Sequence, residues 1–134
     1  PDDNGRLRWI PWDLNESLMA GGMPGCNATS IMLDQVGSGW PLIRFLLDDS
    51  VYRQMYIDEL QAALDGPFAG DKIQTRMEAY HDLIAPYVVG AEGEASPYTF
   101  LNSSSSFETS LTSSNSGLIP HVNERVNLVT QEIQ

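Results

Sequence analysis

Residues Ser50 to Pro67 read SVYRQMYIDELQAALDGP. Val51, Tyr52, Met55, Tyr56, Leu60, Ala63 and Leu64 recur at steps of three and four, the spacing that gathers apolar side chains on one face of an α-helix. Ser50 stands where an N-cap belongs, and Gly66-Pro67 stops the helix in the expected order. Working outward, Pro41 suits the first turn of a shorter helix over Leu42, Ile43, Phe45, Leu46 and Leu47, which ends at Asp48-Asp49. On the other side, Gly70-Asp71 opens a third helix carrying Ile73, Met77, Tyr80, Leu83, Ile84 and Tyr87. Pro86 is expected to kink or end it. Residues 90–97 form a Gly/Glu/Pro loop. Residues 102–116 hold eight Ser and two Thr, a composition expected of a solvated loop, with Phe107 and Leu111 one helical turn apart. Leu118, Ile119, Val122, Val126, Val129 and Ile133 mark a terminal amphipathic helix. The fold class is therefore mainly α, with four or five helices. The series Tyr52, Tyr56, Tyr80 and Tyr87 is expected in the core before it is a binding surface.

The N-terminal part differs. Asp3-Asn4-Gly5 is a hairpin signal, because Asn-Gly tolerates the positive φ of a tight turn. Arg6 to Trp12 reads as a strand, which Pro11 ends or confines to an edge. No strand precedes it in the chain, so it is expected to be a remnant whose open edge pairs with a second copy in a dimer or stays flexible. The chain begins at Pro1 among turn residues, with no initiator Met and no signal peptide, and is read as a fragment of a longer protein. Residues 19–40 are Gly-rich and irregular.

The 134 residues suffice for one domain without disulfide or metal staples. Apolar residues make up 42 %, and 18 acidic side chains face seven Lys and Arg, a net charge of -11. That balance disfavours nucleic acid and anionic membrane surfaces as partners. No apolar run is long enough to span a bilayer. The acidic, Ser-rich composition with the single Lys72 points to a cell-surface or secreted protein. Cys26, the one cysteine, offers neither a disulfide nor a paired-thiol metal site.

The densest chemistry lies in Trp9-Ile10-Pro11-Trp12-Asp13-Leu14-Asn15-Glu16. An apolar strand delivers a carboxylate and a carboxamide two residues apart, just past its end. Asp13 and Asn15 both offer the oxygen ligands that a hard cation takes, and nucleotide-bound Mg²⁺ fills the rest of its shell with water and phosphate oxygens. The plainer alternative is that either residue caps the following turn.

Ile10-Pro11-Trp12-Asp13-Leu14-Asn15 resembles the PWDLD signature of the CotH (spore coat protein H) kinase family. Pro41 to Leu46, Tyr52-Arg53 with Tyr56, Phe68 with the Ile73 helix, and Arg125 within Val122 to Val126 resemble later segments of that family, in order. The resemblance implies the C-terminal helical lobe of an atypical protein-kinase-like fold, with a short N-terminal strand or hairpin remnant. It divides the single domain into a strand plus metal motif (1–18), a loop (19–39) and a helical part (40–134). It implies that Asp13 binds the nucleotide, that Asp13 and Asn15 hold the metal, and that Mg²⁺ and ATP are the cofactors. A nucleotide and a protein substrate are then partners of the intact parent. Asn15 departs from the family's second aspartate, keeping an oxygen and losing a charge. The phosphate-covering loop, nucleotide lysine and catalytic-loop aspartate of the family would lie upstream of Pro1. No catalytic residue is therefore expected in these 134 residues, and the chain alone is expected to be inactive.

The remaining candidates are weaker. His81 and His121 lie at no metal spacing, and His81 is expected at a helix surface or boundary. Gly21 to Gly25 has no following Lys in the register of a phosphate loop. Arg44, Arg53 and Arg76 are expected in structural ion pairs. Two functions compete: the metal-bearing helical part of a CotH-like ATP-dependent protein kinase, and a non-catalytic helical module of a coat or surface protein that binds other proteins.

Overall fold

The computed structural model describes residue 5 and residues 30–95, 97–99, 101, 103–114 and 117–134. The expected strand over Arg6 to Trp12 and the motif at Asp13 and Asn15 lie outside these residues. So does most of the irregular stretch; its described end, residues 30–40, runs through turns. Among the described residues five helices follow: α1 (Pro41–Leu47), α2 (Ser50–Asp65), α3 (Gly70–Val88), α4 (Ser104–Glu108) and α5 (Leu118–Glu132). There is no strand among the described residues. Helix α1 packs on α2, and α5 packs against both α2 and α3, so the terminal helix holds the bundle together.

The N-cap of α2 is Asp49, not the expected Ser50, which is its first helical residue. Asp49 is extended, and its Oδ1 accepts from the N–H groups of Val51 at 2.8 Å and Tyr52 at 3.3 Å. A carboxylate satisfies two orphan donors there and also faces the positive end of the helix, which a hydroxyl does less well. At the other end, the N–H groups of Gly66 and Phe68 both reach the Ala63 carbonyl. Helix α3 runs past Pro86 to Val88. Proline frees only the Asp82 carbonyl, close to the helix end, where the loss is cheap.

The Ser-rich stretch is more than a solvated loop. Ser103 caps α4, accepting from the Ser106 N–H at 3.3 Å. Beyond α4, the carbonyls of Ser110 and Leu111 accept from the N–H groups of Leu118 and Ile119, both at 3.0 Å. The stretch thus satisfies donors that the first turn of α5 cannot satisfy itself. The approach is close at Gly117, where a Cβ would lie 2.5 Å from the Ser113 carbonyl oxygen and 2.7 Å from that of Leu111. Only glycine fits.

Phe107 and Leu111 of this segment are buried, as are Val122 and Val129 of α5, Met32 and Leu47. The tyrosines do not follow expectation. Tyr56 is half-buried, but Tyr52, Tyr80 and Tyr87 are 46 %, 61 % and 60 % exposed. Helical spacing put them on common faces, and no described element covers those faces.

Candidate functional site

Asp13 and Asn15 lie outside the described residues, so their geometry does not enter here. What the structure describes is the seat that receives the chain as it leaves that motif. Ile31 is gripped on both sides of its peptide unit. Its N–H donates to Glu132 Oε2 of α5 at 3.1 Å, and its carbonyl accepts from the Tyr56 hydroxyl of α2 at 2.7 Å. Met32, next in line, is buried. Leu33 then adopts φ +57°, the left-handed region, which a branched side chain enters at a cost of about 1–2 kcal/mol. Its carbonyl accepts from the Val36 N–H at 3.0 Å and closes the turn.

Two arginines flank this seat. Arg53 of α2 donates to Asp34 through both ends of its fork, Nη1 to Oδ1 at 3.0 Å and Nη2 to Oδ2 at 3.4 Å. The hydrogen bond from Arg53 pulls the Asp34 carboxyl below its ordinary range, and the same bond raises Arg53. A depressed carboxyl stabilises the fold above its unfolded pKa of 3.8, and that contribution fades as pH falls through the lower folded value. The pair is in solvent, so its role is to fix register more than to add stability. Arg44 of α1 lies 3.5 Å from Asp48, while its Nε and Nη2 are enclosed without a hydrogen-bond partner among the described residues. Both arginines thus meet the structural pairing expected of them. Tyr56 is pushed up, first by burial and then by the nearby Glu132 carboxylate.

Arg76 departs from expectation: it is exposed on α3 and forms no ion pair among the described residues. Arg125 is partnered within the protein. His81 is half-buried, the boundary position expected of it. Its ring stacks on Phe107 with centroids 4.0 Å apart and planes 12° apart, and Nε2 donates to the Phe107 carbonyl at 3.0 Å. A carbonyl only accepts, so Nε2 carries a hydrogen. A sequence signal existed for this contact only in part. Phe107 stood out as an apolar island in a polar stretch, but its pairing with a histidine 26 residues away left no mark.

Among the described residues no three His, Cys, Asp or Glu side chains cluster as metal ligands. No described helix is long and apolar enough to cross a membrane.

No curated protein and no solved structure matches the chain. A family model, CotH kinase protein, matches residues 1–128. That single match takes in the Asp13 motif, the seat at Ile31 and the helices as far as Leu128 of α5, and the chain belongs to the CotH kinase protein family.

Proposed function

We propose that the chain is the helical, metal-bearing part of an ATP-dependent protein kinase. The observation that carries this reading is the family match over residues 1–128, which includes Pro11-Trp12-Asp13-Leu14-Asn15. In this reading the chain is a helical lobe of a kinase-like fold, with residues 1–18 as a strand and metal motif, 19–39 as a connection and 40–134 as the scaffold. Asp13 and Asn15 are the metal ligands, and Asp13 also serves the nucleotide. Their donor set fits: a carboxylate and a carboxamide oxygen suit Mg²⁺, which takes few protein ligands. When bound, Mg²⁺ neutralises charge on the transferring phosphoryl group. The chain's own share is positional. The grip of Tyr56 and Glu132 on Ile31 fixes the chain sixteen residues after Asn15, and the bundle behind it supplies rigidity.

The test is phosphoryl transfer by the full-length protein as Mg²⁺ is varied. Asp13→Asn keeps the shape and removes the charge. Transfer should fall by about two orders of magnitude, roughly 3 kcal/mol, with the melting temperature little changed. Asn15→Asp should shift half-saturation to lower Mg²⁺. If Asp13→Asn leaves transfer intact, or acts only by lowering the melting temperature, Asp13 is a structural cap.

A second reading, a non-catalytic module that binds other proteins, is favoured by the exposed apolar side chains. Trp40, Leu42, Phe45 and Val51 are each about two-thirds exposed (65–71 %). Under that reading Asp13→Asn would be silent, and substitutions among these four would abolish partner binding.

A further inference from the structure

We propose that the cleft between α3, α4 and the start of α5 binds a small amphiphilic anion, a single-tailed carboxylate. Its tail would fill the cleft and its headgroup would meet Arg76. The inference is independent of the nucleotide reading. The cleft measures about 580 Å³, a size that encloses small organic ligands. Phe107 and Leu111 line it from the core, and Phe68, Met77 and Ile84 are among its other apolar walls. No carboxylate lines it.

Arg76 supplies the charge complementarity. It lines the cleft, and among the described residues it has neither ion pair nor hydrogen bond. Its helical neighbours at three and four residues are Lys72, Ile73, Ala79 and Tyr80, so α3 offers it no carboxylate on its own ridge. Lys72, one turn away, is turned to the Asp65 carbonyl at 3.4 Å. The other described arginines are engaged, Arg44 near Asp48, Arg53 with Asp34, and Arg125 within the protein. In a chain of net charge -11, an arginine held clear of carboxylates beside an apolar cleft is arranged for an anion from outside. The acidic surface opposes any anion at long range, but salt screens that field beyond about 10 Å at 0.1 M, which leaves the local guanidinium to decide. A single cation beside a compact cleft suits one small molecule better than an extended peptide.

The test is calorimetric titration of the protein with dodecanoate below its micellar concentration, against dodecyltrimethylammonium as the cationic control. Dodecanoate should bind saturably, one per chain, and about tenfold or more tighter than the control. Arg76→Gln should remove that preference and leave the weak tail-driven binding. Ile84→Trp, at a rim position already 46 % exposed, should fold as judged by circular dichroism and block both ligands. Equal affinity for the two amphiphiles, an unchanged preference in Arg76→Gln, or non-saturable uptake of many molecules would overturn the proposal. So would displacement of dodecanoate by an apolar acidic peptide that binds more tightly.

Discussion

Helices α5 and α1 both carry the apolar periodicity of an amphipathic helix, and they end in different surroundings. In α5, Val122 and Val129 are 3 % and 6 % exposed, because α2 and α3 close over them. In α1 only Leu47 is buried, while Leu42 and Phe45 are 65 % and 71 % exposed. The two patterns are equally legible in the sequence. The difference is that, among the described residues, α5 packs mainly against both α2 and α3, and α1 mainly against α2. Periodicity states which side chains share a face; it does not state what covers that face.

The contrast is broken most forcefully in the packed half. Phe107→Ala removes a ring that is 6 % exposed and stacked on His81, and should cost about 3–5 kcal/mol. Denaturant unfolding measures this directly, and a loss under 1 kcal/mol would show that the α4–α5 region is not the core.

At the seat between the halves, Tyr56→Phe deletes the hydroxyl that donates to the Ile31 carbonyl and should cost about 1 kcal/mol. The same residue gives a pH signature. Its folded pKa lies above the ordinary 10.0, so its contribution is whole below pH 10 and is lost as pH rises through the folded value. The alkaline decline of stability should therefore be smaller in Tyr56→Phe than in the parent, and identical profiles would contradict the assignment.

The cap of α2 separates two adjacent candidates. Asp49→Ala should lose about 1 kcal/mol, whereas Ser50→Ala should stay within a few tenths. The reverse order in thermal melts would return the cap to Ser50. The smallest effect is expected on the open face: Phe45→Ser should change stability by less than about 0.5 kcal/mol, since the ring is already in water. A larger loss would mean that the ring is covered in solution.

Much of the helical body could be read in advance. The limits of α1, the stop at Gly66-Pro67 and the start of α5 followed from proline, glycine and apolar spacing. Ser50 and Asp49 are both good caps, and only the extended backbone at Asp49 decides between them. The Ser-rich stretch misled for a physical reason. Composition reports side-chain solvation, but this segment works through its backbone, with the Ser110 and Leu111 carbonyls capping α5. The tyrosines misled because spacing is blind to cover. The motif around Asp13 was legible as a pair of oxygen donors, and its geometry lies outside the described residues. The seat at Ile31 was not legible, because an apolar residue held through its peptide group leaves no pattern.

The proposed role of Asp13 in holding the metal can be tested by locating the metal itself. Mn²⁺ can replace Mg²⁺ in the presence of ATP, and its paramagnetism broadens nearby amide resonances of the isotopically labelled protein. Selective broadening is expected around Asp13 and Asn15 and should disappear in Asp13→Asn, with the resonances of α3 and α4 unaffected. Broadening that spares the motif, or that persists around it in Asp13→Asn, would mean that Asp13 does not hold the metal.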